Sequence, residues 1–143
     1  MGAILRFLGS RRFLQSPGWL PHSPTAAPAT LFASLWPAED GSKSSAAWTL
    51  VNRDTKNAHS GAAINVTMAP PAGVVWHYYD LYHGKELPAP TGGAIALELE
   101  ISGYGAVLAT PNTSATDAEL AAFLAKMKAM TATPLQSLSL IHI

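Results

Sequence analysis

The chain has 143 residues, a length that suits one globular domain; 48% of them are hydrophobic and only 13% are charged. Nine basic and nine acidic residues cancel, so we expect neither nucleic acid nor a membrane surface as a partner. The absence of cysteine excludes disulfides, thiolate nucleophiles and thiolate-bound metal centres, and the sequence implies no cofactor.

The N-terminal part, residues 1–30, predicts a helix followed by an extended segment. Apolar residues recur at helical spacing within residues 3–14. Four prolines within residues 16–30 disfavour regular structure there, and we expect Trp19 and Leu20 to pin this segment to the core. Neither a signal peptide nor a membrane-spanning run is recognisable, so the cytoplasm is the default compartment.

Residues 31–110 predict an antiparallel β-sandwich of about six or seven strands, because short apolar runs alternate with turn residues at nearly regular spacing. The clearest strand is 94–101, AIALELEI, in which aliphatic residues from Ile95 to Ile101 alternate with two glutamates. The other predicted strands are 31–36, 47–52, 63–68, 74–81 and 105–110.

The C-terminal part, residues 111–136, predicts a linker and an amphipathic helix that leads towards a further domain. The four residues from Thr116 to Glu119 match the capping-box pattern, in which a Thr side chain and a Glu three residues later cap the first turn. Apolar residues then recur at helical spacing as far as Met127.

The last six residues, LSLIHI, translate the transposase adapter of shotgun library preparation, CTG TCT CTT ATA CAC ATC. We therefore interpret residues 137–143 as an adapter artefact and expect the natural chain to continue past about Gln136.

The stretch WHYYDLYHG, residues 76–84, holds two histidines, a carboxylate and three phenols. We interpret it as a core strand that ends in a glycine turn, so that His77 and His83 face one side and Asp80 the other. A small hydrolase with a site around these three residues is the alternative, and it requires their side chains to converge.

A carbohydrate-binding module is the other alternative, with Trp48, Trp76, Tyr79 and Tyr82 as platform residues. It requires at least two of the rings to be exposed on one face, whereas tryptophan is more often buried. Glu98 and Glu100 could be proposed as a glycosidase carboxylate pair. Both lie on the polar side of an alternating strand, however, so their positions need no catalytic role.

Four phrases of the sequence resemble a known family. They are FLQSPGWLPHSPT (13–25), LFASLWP with AWTLVNRDTKN (31–37 and 47–57), YYDLYHGKEL (78–87) and ELEISGYGAVLAT (98–110). These phrases resemble the middle region of large proteins of the formylglycine-generating enzyme, or sulfatase-modifying factor, family. In those proteins a glycosidase-like barrel precedes this region and the modifying-factor domain follows it. The phrase order is also similar to the C-terminal β-sandwich after many glycoside-hydrolase barrels.

The resemblance implies a non-catalytic structural β-domain whose partners are the flanking domains of the same chain. Family members use a copper-binding cysteine pair, and their ergothioneine-pathway relatives hold iron through histidines. This sequence has no cysteine and shows no histidine triad, so no catalytic residue can be carried over to it.

Overall fold

The computed structural model describes residues 2–26, 28–38 and 44–132. In these residues the chain forms eight strands, all paired antiparallel, with one α-helix before them and one after. The predicted mainly β fold with two terminal helices is therefore confirmed. The adapter interpretation of residues 137–143 lies outside the described residues.

The helices are α1 (Gly2–Ser10) and α2 (Ala118–Ala132), with a 3-10 turn at Phe13–Gln15, and the strands are β1 (Leu20–Ser23), β2 (Leu31–Pro37), β3 (Ala46–Asn52), β4 (Ala62–Asn65), β5 (His77–Asp80), β6 (Lys85–Leu87), β7 (Ala94–Ala96) and β8 (Tyr104–Thr110).

Six of the strands form one large sheet in the order β1-β2-β3-β8-β5-β6, and β4 pairs with β7 in a small second sheet. The middle of the large sheet is made by β2, β3 and β8, which have seven residues each. Their register places Leu35 opposite Trp48 and Trp48 opposite Val107.

Other elements bury one face of the large sheet and part of the other. The small sheet packs on one face, where Ile64 and Ile95 join a core around Trp48. The helices pack on the other face, where Leu8 of α1 and Leu120 of α2 share a second core. The first contact is the predicted sandwich arrangement, and the helices add a third layer to it.

The two cores explain why residues 105–109 of β8 include no polar side chain on either face. Val107 and Ala109 belong to the core under the small sheet, while Ala106 and Leu108 belong to the core under the helices. Side chains alternate between the faces of a strand, so a strand covered on both sides is apolar at every position.

The N-terminal segment departs from prediction in two places. The helix ends at Ser10, because Arg12 has a left-handed backbone with φ 65°. The proline-rich segment contains a regular strand, β1, whose Pro21 is tolerated because β1 lies at the edge of the sheet. Trp19 and Leu20 do not anchor it in the core, since they are 48% and 44% exposed; Trp19 instead stacks on Trp36, with 5.2 Å between ring centres.

Three predicted strands are shorter than expected. The segment 94–101 is a regular strand only over β7, although Leu97 and Leu99 stay buried as predicted. The prediction is wrong for Ile101, which is 51% exposed because the chain turns there into Ser102, with φ 51°. The predicted strands 63–68 and 74–81 shrink to β4 and β5, whose bounds are given above, because prolines and a glycine turn interrupt the chain between them.

No helix in the described ranges combines the length and the apolar character that crossing a membrane requires.

Candidate functional site

The candidate site is the stretch WHYYDLYHG, which forms β5 and the turn after it. Trp76 is buried and its indole N–H donates to the Ser44 carbonyl at 3.0 Å. Tyr78 joins the core under the small sheet and Tyr79 the core under the helices. The predicted core strand that ends in a glycine turn is confirmed.

Asp80 is fully buried and its carboxylate holds the turn. One oxygen, Oδ1, accepts the backbone N–H groups of Tyr82 at 3.0 Å and of His83 at 2.9 Å. The other, Oδ2, lies 2.7 Å from Nδ1 of the His83 ring. A carboxylate oxygen accepts hydrogen bonds, so His83 Nδ1 is the donor in this contact.

The prediction that Asp80 and His83 face opposite sides is therefore wrong. Alternation holds only while the chain is extended, and β5 ends at Asp80. The following residues form a turn that closes with a bond from the Gly84 N–H to the Asp80 carbonyl at 2.9 Å. This turn brings the imidazole back onto the carboxylate.

Gly84 lies where the same turn packs closely against the backbone of α2. Its φ is 70°, and a β-carbon at this position would collide with the backbone carbonyl of Leu124 and the backbone nitrogen of Lys128. Only glycine meets both demands, because it has no β-carbon and adopts positive φ freely. The Asp80–His83 pair thus lies in a turn packed directly on the helix backbone.

His77 does not join this pair. Its Nδ1 lies 4.0 Å from the carboxylate of Glu86 on the neighbouring strand β6. Three extended residues place its Cα about 10 Å from that of Asp80. The convergence that the hydrolase alternative requires is therefore absent for His77.

The exposed side of His83 borders a cleft of about 340 Å³ that we call the His83 cleft. Its other polar lining residues are His59, Ser60, Glu98 and Glu100. Within the described chain no hydrogen bond joins Ser60 to His83, so the cleft shows an oriented imidazole without an activated hydroxyl. The described residues also contain no group of three or more His, Cys, Asp or Glu side chains placed to hold a metal ion.

Tyr82 contacts two residues that line the cleft, His83 and Glu100. Its hydroxyl donates to Glu100 Oε2 at 3.5 Å. Burial raises the pKa of the Tyr82 phenol, and the negative charge of Glu100 raises it further. The phenol therefore stays protonated at neutral pH, as a donor rather than a base.

Polar residues after β3 form a second cluster, which sequence reasoning did not identify. Asn52 is 1% exposed, and its amide donates to the carbonyls of Asn57 and Glu100. Asp54 accepts the backbone N–H groups of Lys56 at 2.8 Å and of Asn57 at 3.0 Å, and these bonds lower the pKa of its carboxyl. Asn and Asp two residues apart at a strand end were the available signal for such a loop.

The four rings named for the carbohydrate-binding alternative do not form an exposed surface, so the exposure that this alternative requires is absent at these residues. Trp48, Trp76 and Tyr79 are 0%, 5% and 1% exposed. Trp48 and Trp76, which directly precedes β5, belong to the core under the small sheet, and Tyr79 belongs to the core under the helices. Of the four rings only Tyr82 is partly accessible. The Tyr79 hydroxyl accepts the Ser114 N–H at 3.1 Å, which fixes the segment before α2.

No family model matches the chain, and no curated protein and no solved structure matches it either.

Proposed function

We propose that this chain is a structural accessory β-domain of a longer multidomain protein of the formylglycine-generating enzyme family. In that protein it would pack between a glycosidase-like barrel and a downstream domain. The observation that carries the proposal is that WHYYDLYHG, the stretch richest in reactive groups, has a structural role. The Asp80 carboxylate and the His83 imidazole stabilise the turn after β5 by hydrogen bonds, and Gly84 lets this turn pack against α2.

The residues that carry the family resemblance support this proposal by their place in the fold. The four phrases cover all of β1, β2, β6 and β8 and all but the first residue of β3 and of β5. These are the six strands of the large sheet. A resemblance spread over one whole sheet is typical of a shared domain, whereas one confined to a loop would indicate a shared site.

Exposed apolar side chains on the two helices are consistent with neighbours in a longer chain. Leu5 on α1 is 42% exposed and Met130 on α2 is 52% exposed. Single exposed apolar residues are common, but here they lie on the two terminal elements, from which the flanking domains would extend.

Recovery of the complete reading frame from the source DNA tests the proposal. We expect the frame to continue past Gln136 into a modifying-factor domain and to encode a barrel upstream. A stop codon within a few residues of Gln136, with no barrel upstream, would contradict it.

A second test uses the recovered full-length protein. We expect His83→Gln to leave kcat/KM of the parent enzyme within about twofold, because a residue that only seats a turn stabilises no transition state. A loss of about 100-fold or more with an unchanged unfolding midpoint would instead make the His83 cleft catalytic.

A further inference from the structure

The helices cover the large sheet unevenly. Strand register aligns rows of side chains across β2, β3 and β8, and the row through Ala47 and Leu108 lies buried under the helices. The row at the far end, Phe32–Val51–Tyr104, is open: Phe32 is 38% exposed and Tyr104 is 50% exposed. About half of this sheet face is therefore not covered by the described elements.

The open half forms a groove of about 270 Å³, which we call the Tyr104 groove. Its volume lies just below the range of about 300–1,000 Å³ that is usual for drug-sized ligands, so it suits one ring of a larger ligand. Its lining includes His22, Phe32, Ser34, Thr49, Val51 and Tyr104.

The lining combines aromatic faces with neutral hydrogen-bonding groups. The Thr49 hydroxyl accepts the Trp36 indole N–H at 3.0 Å, which leaves its own proton for a ligand. His22 adds an imidazole from β1, where the strand register shifts and the backbone has φ 57°. A positive φ at a residue other than glycine is strained, and such strain concentrates at functional positions.

The groove does not suit a peptide strand or a nucleic acid. A peptide that extends a sheet pairs with the backbone of an edge strand, whereas the floor of the groove is the face of β2 and β3, which are paired on both sides. Single-stranded nucleic acid needs a positively charged channel. Here no lysine and no carboxylate lines the groove, and Arg53 lies beside it over the Phe32 ring, 5.6 Å from the ring centre.

We propose that the Tyr104 groove binds a neutral hexose unit of a polysaccharide. The C–H groups on one face of a pyranose are apolar and slightly positive, so they stack on the negative face of an aromatic ring. The ring hydroxyls then find hydrogen-bonding partners in Ser34, Thr49 and His22. Tyr104 is the main platform, because Arg53 already occupies one face of Phe32.

This binding site is independent of the accessory role, since neither outcome of the gene recovery affects it. The test is calorimetric titration of the chain with cellohexaose, maltohexaose, mannohexaose and galactohexaose. Each sugar is used at about 10 mM, well above the Kd of about 1 mM typical of weak single-site binding.

We expect saturable binding of at least one of the four sugars. Tyr104→Ala and Phe32→Ala should each weaken it by about tenfold or more, and Tyr104→Phe, which keeps the ring, should weaken it less than Tyr104→Ala. Val75→Ala is the control, because Val75 is 72% exposed and does not line the groove. Urea unfolding of each variant verifies that it is folded.

Two results would overturn the proposal. One is the absence of saturable binding with all four sugars; the other is binding that both alanine variants leave unchanged. If no sugar binds but an apolar dye binds the chain and is released by Tyr104→Ala, the groove is an apolar docking face and not a sugar site.

Discussion

Asp80 shows how one residue can look reactive in a sequence and be structural in the fold. A carboxylate removed from water needs compensating donors, and the turn supplies two backbone N–H groups and one imidazole N–H. Strand and turn were predictable from the β-branched and aromatic run before Gly84. The direction of His83 was not, because it depends on the residue at which β5 ends.

Replacing Asp80 by alanine should lower the free energy of unfolding by about 3 kcal/mol, since it removes a buried acceptor and leaves three partly buried donors unpaired. His77→Ala is the matched control on the same strand. It removes a half-exposed ring and should change stability by less than about 0.5 kcal/mol. Urea unfolding at neutral pH measures both. Equal losses in the two variants would refute the special role of Asp80.

At the scale of single elements, the start of α2 was predicted from the right residues but with the wrong cap. Asp117 Oδ1 accepts the Leu120 N–H at 3.0 Å, whereas the Thr116 hydroxyl bonds back to Thr113. The sequence offered two adjacent capping residues. Asp117 also has a distant partner: Arg11, 106 residues away, donates to both oxygens of its carboxylate at 2.8 and 2.7 Å. A local pattern carries no information about such a partner.

Asp117 should make stability depend on pH. Burial raises the pKa of its carboxyl, but the hydrogen bond from Arg11 and that from the Leu120 N–H outweigh burial, so the pKa lies below its usual value. The carboxylate therefore contributes stability above its unfolded pKa of about 3.9, and this contribution is lost as the pH falls through the folded pKa.

Asp117→Asn isolates this charge, because asparagine caps a helix about as well as aspartate. We expect a loss of about 1 kcal/mol at pH 7 that shrinks towards zero as the pH falls below the unfolded pKa and through the lowered folded pKa. Thr116→Ala should follow the wild-type pH profile throughout. Urea midpoints measured across this range decide the matter, and a pH-independent loss in Asp117→Asn would argue against the ion pair.

The turn between β5 and β6 contacts α2 at Gly84. We therefore predict that glycine is required more strictly at this position than in an ordinary left-handed turn. Gly84→Ala should cost more than about 3 kcal/mol, since strained φ adds to a clash with the helix backbone. Gly73→Ala is the control, with φ 79° and no atom within 4 Å of the position that an added β-carbon would take, so it should cost only about 1 kcal/mol. Thermal unfolding measures the loss of stability in both variants. Similar losses would mean that α2 shifts to accommodate the added β-carbon.

For the whole molecule, local patterns gave the strands and helices, but not the sheet order. Turns and alternation are properties of neighbouring residues, so most strand positions were predictable. The pairing of β8 with both β3 and β5 joins segments far apart in sequence, and no turn signal encodes it. The Tyr104 groove could not be predicted for the same reason, because it depends on the sheet order. Alternation in LFASLWP places Phe32 and Trp36 on one face, but only the sheet order and the helix positions show which end stays open.

The shared sheet makes a strong prediction about cooperativity. Trp48 packs under the small sheet while its neighbour Ala47 packs under the helices, so neither layer can leave without exposing part of the same strand. We expect one two-state transition, followed by the fluorescence of Trp48 and Trp76 in a Trp19→Phe, Trp36→Phe variant and by the far-UV circular dichroism of the helices. The two probes should give the same urea midpoint, and Leu120→Ala, which opens a cavity under α2, should shift both curves together by about 2–4 kcal/mol. Loss of the helical signal at a lower urea concentration would mean that the helices are a separable layer, and the sheet with its small partner would then be the folding unit.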